Sequence, residues 1–136
     1  MKLDGMSFFS LASQRMRWLG TRQAVITQNI ANADTPGFKA KDVSGFDEML
    51  GGARSTASSG LRTTDARHMT GAGGTSAPNG IRVQETESWE QSLDGNTVAL
   101  EEQSITAVEV SESYRMAAAL YRKGHDLLTL AVTGVR

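Results

Sequence analysis

With 136 residues, of which 39% are apolar and 21% charged, the chain is long enough for one ordinary domain, and nothing in its composition forces disorder or membrane insertion. Fourteen basic and 15 acidic side chains leave a formal net charge of -1, which removes any general attraction to nucleic acid or to an anionic bilayer. The absence of cysteine excludes disulfides, thiolate metal sites and cysteine nucleophiles.

The opening stretch "MKLDGMSFFSLASQRMRWLG" lacks the apolar core and small-residue cleavage site of a secretory signal. No apolar run approaches the roughly 18 residues of a membrane span. Export, if it occurs, is expected by a route other than general secretion.

The first helix is predicted from about Phe8 to Ala33 or Asp34. Phe8, Ala12, Met16, Leu19, Gln23, Ile26, Ile30 and Ala33 step by three or four, which lines one helical face. Leu11, Trp18 and Val25 recur every seventh residue as a second stripe, so the apolar face is too wide for one partner. Arg15, Arg17 and Arg22 occupy the polar side. Beside Trp18 they allow a nucleic-acid contact, but a solvated face or pairing with carboxylates is the better reading.

In "DTPGF", Pro36 sets φ at the first central position of a type II turn and Gly37 supplies the positive φ needed next. Thr35, preceding proline, is driven out of helical geometry, so the helix must stop before it.

The middle is poor in apolar residues, with Leu61 and Met69 the large ones between Gly51 and Gly80. Ordering about thirty residues costs on the order of 30 kcal/mol of backbone entropy, whereas burying two such side chains returns about 1.5 to 3 kcal/mol each. This segment is expected to be a flexible connector or to take order only from its neighbours. Residues 38–46 and 81–89 alternate partially and read as extended segments or a small hairpin. "GAGGTS" lacks the strand, lysine and spacing of a phosphate loop. His68 and His125 are too few for a zinc site, and no strained G-x-S-x-G nucleophile motif occurs. No catalytic, metal or cofactor residues are assigned.

A long second helix is predicted from Val98 to Val135, roughly 57 Å at ~1.5 Å per residue. Thr97 is the expected N-cap, and Glu101 and Glu102 favour the positive end of the helix dipole. Leu100, Gln103, Ala107, Val110, Tyr114, Ala117, Tyr121, Gly124, Leu128, Ala131 and Val135 form an unbroken seam. Its small members permit close approach of another helix. Met116, Leu120, Leu127 and Leu130 add a flanking stripe, again more apolar surface than one partner covers. Bases near the amino terminus and acids from Asp94 to Glu112 suggest ion pairing between the terminal helices, at ~0.2 to 1 kcal/mol per exposed pair.

The residues therefore predict a mainly α chain: long terminal helices packed as a coiled-coil-like pair, joined by a Gly-rich middle that is extended, partly β or disordered. Its expected parts are residues 1–34, 35–95 and 96–136. "ITQNIANADTPGFKAKDVSGFDEML" and the terminal heptad helix resemble the flagellar rod and hook axial proteins, with an "NIANxxTPGFK" turn after the amino-terminal helix. "LRTTDARHM" and "LDGNTVALEEQ" resemble segments of the proximal rod members of that family.

The resemblance implies a non-enzymatic subunit of the bacterial flagellar basal-body rod, exported through the flagellar type III apparatus and assembled in the periplasm. Its partners would be other copies of itself, other rod proteins, basal-body adaptor proteins and export-gate proteins, without nucleic acid, cofactor or membrane insertion. "SFFSL", Ser7 to Leu11, is a candidate export-gate signal on the same ground. The implied assembly residues are Leu11, Trp18, Leu19, Val25, Ile26, Ile30, Val110, Tyr114, Tyr121, Leu128 and Val135; Asn32, Thr35, Pro36 and Gly37 set the turn. Another rod protein of the same family, a soluble helical adaptor with one partner, or a nucleic-acid-binding helix pair are the alternatives.

Overall fold

The computed structural model describes residues 7–51, 81–86 and 91–134. Five elements follow in order: α1 (Ser7–Ala31), β1 (Lys41–Val43), a short helical segment α2 at residues 46–51, β2 (Val83–Glu85) and α3 (Leu100–Thr133). The mainly helical architecture with paired terminal helices is the one expected. The "LRTTDARHM" and "GAGGTS" segments and Val135 lie outside the described residues.

The wide apolar face of α1 is what builds the core. Leu19 and Ile26 are buried beside Val110 of α3, while Trp18 and Val25 on the adjoining stripe join Val43, Met49 and Ile81 in the same cluster. The second partner implied by the seven-residue stripe is thus the chain's own middle, folded over α1. β1 and β2 pair antiparallel with Lys41 opposite Glu85 and Val43 opposite Val83. The ladder is extended at both ends by Ser44 N–H to Arg82 O, 2.7 Å, and Thr86 N–H to Ala40 O, 2.9 Å.

α1 stops at Ala31, two to three residues before the expected end. Asn32 N–H is shared between Gln28 O and Asn29 O, at 3.2 and 3.1 Å, and Ala33 N–H reaches only Ile30 O. This tightening is the usual way a last helical turn satisfies its carbonyls. The turn then forms as predicted, with Phe38 N–H donating to Thr35 O at 3.2 Å and Gly37 at φ 71°.

α3 also begins later than expected, and Thr97 is not its cap. Ala99 holds the N-cap position without a side-chain hydrogen bond. Thr97 is instead in an extended strap: its hydroxyl accepts from Ala40 N–H at 2.9 Å, and its own N–H donates to Phe38 O at 3.1 Å. Glu101 and Glu102 do stand in the first turn, where their charge complements the exposed amides. At the other end Gly134 adopts φ 64° and returns its N–H to Leu130 O, closing the helix before Val135.

The anticipated ion pairing between terminal helices is not found: among the described residues no salt bridge joins α1 to α3. Arg22 instead grips Asp42 of β1 through both oxygens, at 3.0 and 2.7 Å. The hairpin, not α3, crosses the basic face of α1, so it supplies the nearest carboxylate. Both side chains keep about a third of their surface in water (28% and 32% exposed), so screening limits the pair's worth. A double-mutant cycle of Arg22→Gln and Asp42→Asn should give a coupling of about 0.5 to 1 kcal/mol in denaturant melts, falling as salt is raised. A cycle is required because Asp42 Oδ1 also accepts from Val43 N–H at 2.7 Å.

Candidate assembly surface

Two loops that are far apart in sequence lock the ends of the long helices together. Asn96, only 4% exposed, points its amide at the spent end of α1: Nδ2 donates to Asn32 O at 2.9 Å and to Ala33 O and Thr35 O at 2.8 Å. Its Oδ1 accepts Val98 N–H at 2.7 Å, just ahead of α3. One side chain thereby caps α1, braces the Pro-Gly turn and orients the start of α3. Gly37 N–H donates to Asp94 O at 3.0 Å. Gly95, at φ 85°, lies so close that a Cβ there would stand 3.6 Å from the Gly37 Cα.

Asn29 performs a second such task. It is 1% exposed, and its amide mimics a neighbouring strand: Lys41 N–H donates to Oδ1 at 3.1 Å, while Nδ2 donates to Lys41 O at 2.7 Å. The same Nδ2 reaches Gln103 Oε1 of α3 at 2.9 Å. α1, β1 and α3 meet at this residue. Neither Asn29 nor Asn96 is among the residues expected from the sequence to hold the assembly or the Pro-Gly turn; Asn96 reads there only as part of a turn with Gly95. The available signal was a polar residue one turn beyond Val25 on an apolar stripe, and an asparagine inside the quoted "LDGN".

The selected turn residues are placed together. Asn32 Nδ2 donates back to Gln28 O at 2.8 Å and its Oδ1 accepts from the Thr35 hydroxyl at 3.2 Å, with Pro36 and Gly37 completing the reversal. Among the nominated assembly residues, Trp18, Leu19, Val25, Ile26 and Val110 are buried within the chain itself. Trp18 is fixed further by its indole N–H to Ser44 O at 2.8 Å and by Arg15 stacking 4.7 Å over its ring. Leu11, Ile30 and Tyr114 are exposed, at 47%, 39% and 45%, while Tyr121 and Leu128 are half-buried.

Near the amino terminus, Phe9 is buried and meets the Tyr121 ring edge-on at 5.1 Å, with Phe8 edge-on to Phe9 at 5.2 Å. Gly124 makes room for both. A Cβ there would come within 2.9 Å of Phe8 Cε1 and 3.3 Å of Phe9 Cζ. Gly124→Ala should change stability by less than about 1 kcal/mol, because the half-exposed Phe8 ring can swing away and the helix gains propensity. Gly124→Leu must displace the buried Phe9 and should cost about 1 to 3 kcal/mol by thermal melting.

What remains uncovered is largely on α3. Met116, Leu120, Leu127 and Leu130 are 66%, 55%, 53% and 39% exposed, and at about 100° per residue the first three fall within about 40° of one another. Isolated exposed leucines are ordinary, but a row of them marks a contact surface. No helix among the described residues is long and apolar enough to cross a membrane.

Comparison with known proteins places this geometry in a family. The profile of the flagella basal body rod protein family matches residues 12–39, which run from α1 through the Pro-Gly turn. The chain is 31% identical over 133 residues to the flagellar basal body rod protein FlgB of Agrobacterium fabrum, covering 96% of each chain. It is 37% identical over 114 residues to FlgB of Cereibacter sphaeroides, covering 84% of each. For FlgB of Escherichia coli the identity is 32% over 120 residues, covering 85% of this chain and 84% of the relative. The chain therefore belongs to the flagellar basal body rod protein family represented by FlgB.

Proposed function

We infer that the chain is a structural, non-catalytic subunit of the bacterial flagellar basal-body rod, working as part of the drive shaft through its terminal helices. The observation that carries this reading is the kinship over 96% of the chain with a rod protein, combined with a row of exposed apolar side chains on α3. A subunit of a multi-copy cylinder needs such surface to meet its neighbours.

The finer assignment is to the proximal rod, reached from the cytoplasm through the flagellar type III apparatus, with export-gate and basal-body adaptor proteins as transient or terminal partners. The cysteine-free sequence is compatible with passage as an unfolded thread. In this reading residues 1–34 and 96–136 form the tube wall, and residues 35–95 travel over its surface. Leu11, Ile30, Tyr114, Tyr121, Leu128 and Val135 are proposed as the nominated residues that meet neighbours, since each but Val135 is at least partly exposed.

Deleting the gene tests the function. Cells should lose filaments and swimming and regain both when the wild-type gene is returned. A deletion strain that swims normally would refute the rod assignment and favour an adaptor unrelated to motility.

A further inference from the structure

The two flanks of the α1–α3 pair differ in shape and charge. On one flank the helices leave a groove. A cavity of about 470 Å³ is lined by Gly20, Gln23, Ser111, Tyr114 and Arg115 among others, and a second of about 310 Å³ continues between the same helices beside Met16, Arg122 and His125. Gly20 leaves open space on its wall, with no atom of the described residues within 4 Å of where a Cβ would stand. Gln23 Oε1 is buried without a hydrogen-bond partner among the described residues, an unmet acceptor of the kind that native proteins rarely leave.

On the opposite flank of α3, by helical phase, stand Met116, Leu120 and Leu127 with Glu102, Glu109 and Lys123. This is a ridge where the other side is a groove. Among the described residues no carboxylate lines either stretch of the groove, whereas Arg115 and Arg122 do; Arg115 also pairs within its own helix to Glu112 at 3.1 Å.

We propose that the groove beside Gly20 and Gln23 receives the Met116, Leu120 and Leu127 ridge of a second copy of this chain, head to tail. Charge and shape select this occupant. A two-fold contact between grooves would set Arg115 and Arg122 against arginines and leave both hollows unfilled. The head-to-tail contact brings the ridge with its Glu109 to the arginine-lined hollow, and its Lys123 carries a donor of the kind Gln23 lacks. A contact between unlike surfaces does not close on itself in pairs but propagates as a ring or helix. The proposal rests on the rod-subunit reading and names the surface by which copies of that subunit meet.

The cysteine-free chain permits a direct test in cells carrying the gene only on a plasmid. Gly20→Cys is combined in turn with Met116→Cys, Leu120→Cys and Leu127→Cys, and whole cells are treated with an oxidant or a short bis-maleimide. At least one double variant should give a ladder of crosslinked multimers. Co-expressed single variants should stop at dimers, and each single variant alone should stay uncrosslinked. Dimers from Gly20→Cys alone would establish a two-fold contact and overturn the proposal, as would the lack of a ladder in every double variant. Double variants that swim without a ladder sink only this contact, whereas a deletion strain that swims sinks the rod reading itself.

Discussion

Asn96→Ala is expected to destabilise the chain by about 2 to 4 kcal/mol in denaturant or thermal melts, and to abolish swimming when it replaces the wild type. The size follows from what the side chain serves. Its two amide hydrogens are shared among three carbonyls, those of Asn32, Ala33 and Thr35; Asn32 O and Thr35 O keep backbone donors in Thr35 N–H and Phe38 N–H, so Ala33 O is the acceptor left short, at a cost of about 1 to 3 kcal/mol. Alanine also leaves Val98 N–H without its 2.7 Å acceptor. Asn96→Asp separates these effects. The carboxylate still accepts from Val98 N–H, yet it presents negative charge to three carbonyl oxygens at the negative end of the α1 dipole. It should therefore be at least as damaging as alanine. An aspartate variant near wild-type stability would show that the clamp on the α1 terminus contributes little.

The helices and their partnership were legible because both signals are periodic. In α1 the step of three or four identified Leu19 and Ile26, and in α3 the seam through Ala107, Val110 and Ala117 is the face that packs against the core. The Pro-Gly turn was legible because Pro36 and Gly37 each restrict the backbone through covalent geometry, which no tertiary contact can override.

The ends of the helices were less accessible. Thr97 has the chemistry of an N-cap, but an extended pairing with residues 38 to 40 offers its hydroxyl and amide other partners. Such competition depends on an extended segment 57 positions earlier in the chain, and local propensity contains no trace of it. The same holds for Asn29 and Asn96. In sequence they look like a surface polar residue and a turn residue, and only the fold brings Lys41, Gln103 and three helix-end carbonyls within their reach. Charge misled for a related reason: opposite signs on the terminal helices imply pairing, yet Arg22 finds Asp42 first. The family resemblance, in contrast, was readable directly, since the motif through Pro36 and Gly37 lies within the stretch that the rod protein profile matches.

Leu120→Glu combined with Leu127→Glu should leave the isolated chain's stability within about 0.5 kcal/mol per site, and yet eliminate filaments and swimming. These side chains are 55% and 53% exposed, so a carboxylate at either position stays hydrated in the free chain. In a packed contact between subunits the same charge is stripped of water, a penalty of several kcal/mol per ion that an arginine across the contact offsets only in part, and the apolar contact of the leucine is lost with it. Every subunit would carry two such charges. Val110→Asp cannot serve the same purpose, because Val110 is 3% exposed and its substitution breaks the chain's own core before any contact is made. Circular dichroism and melting of the purified double variant establish that folding is intact, and recovery of the protein outside the cytoplasm establishes that export is intact. Assembly is then the step that remains to account for a non-swimming cell. Full motility in the double variant would mean that this row of leucines faces solvent in the finished rod, and that the subunit meets its neighbours through another face.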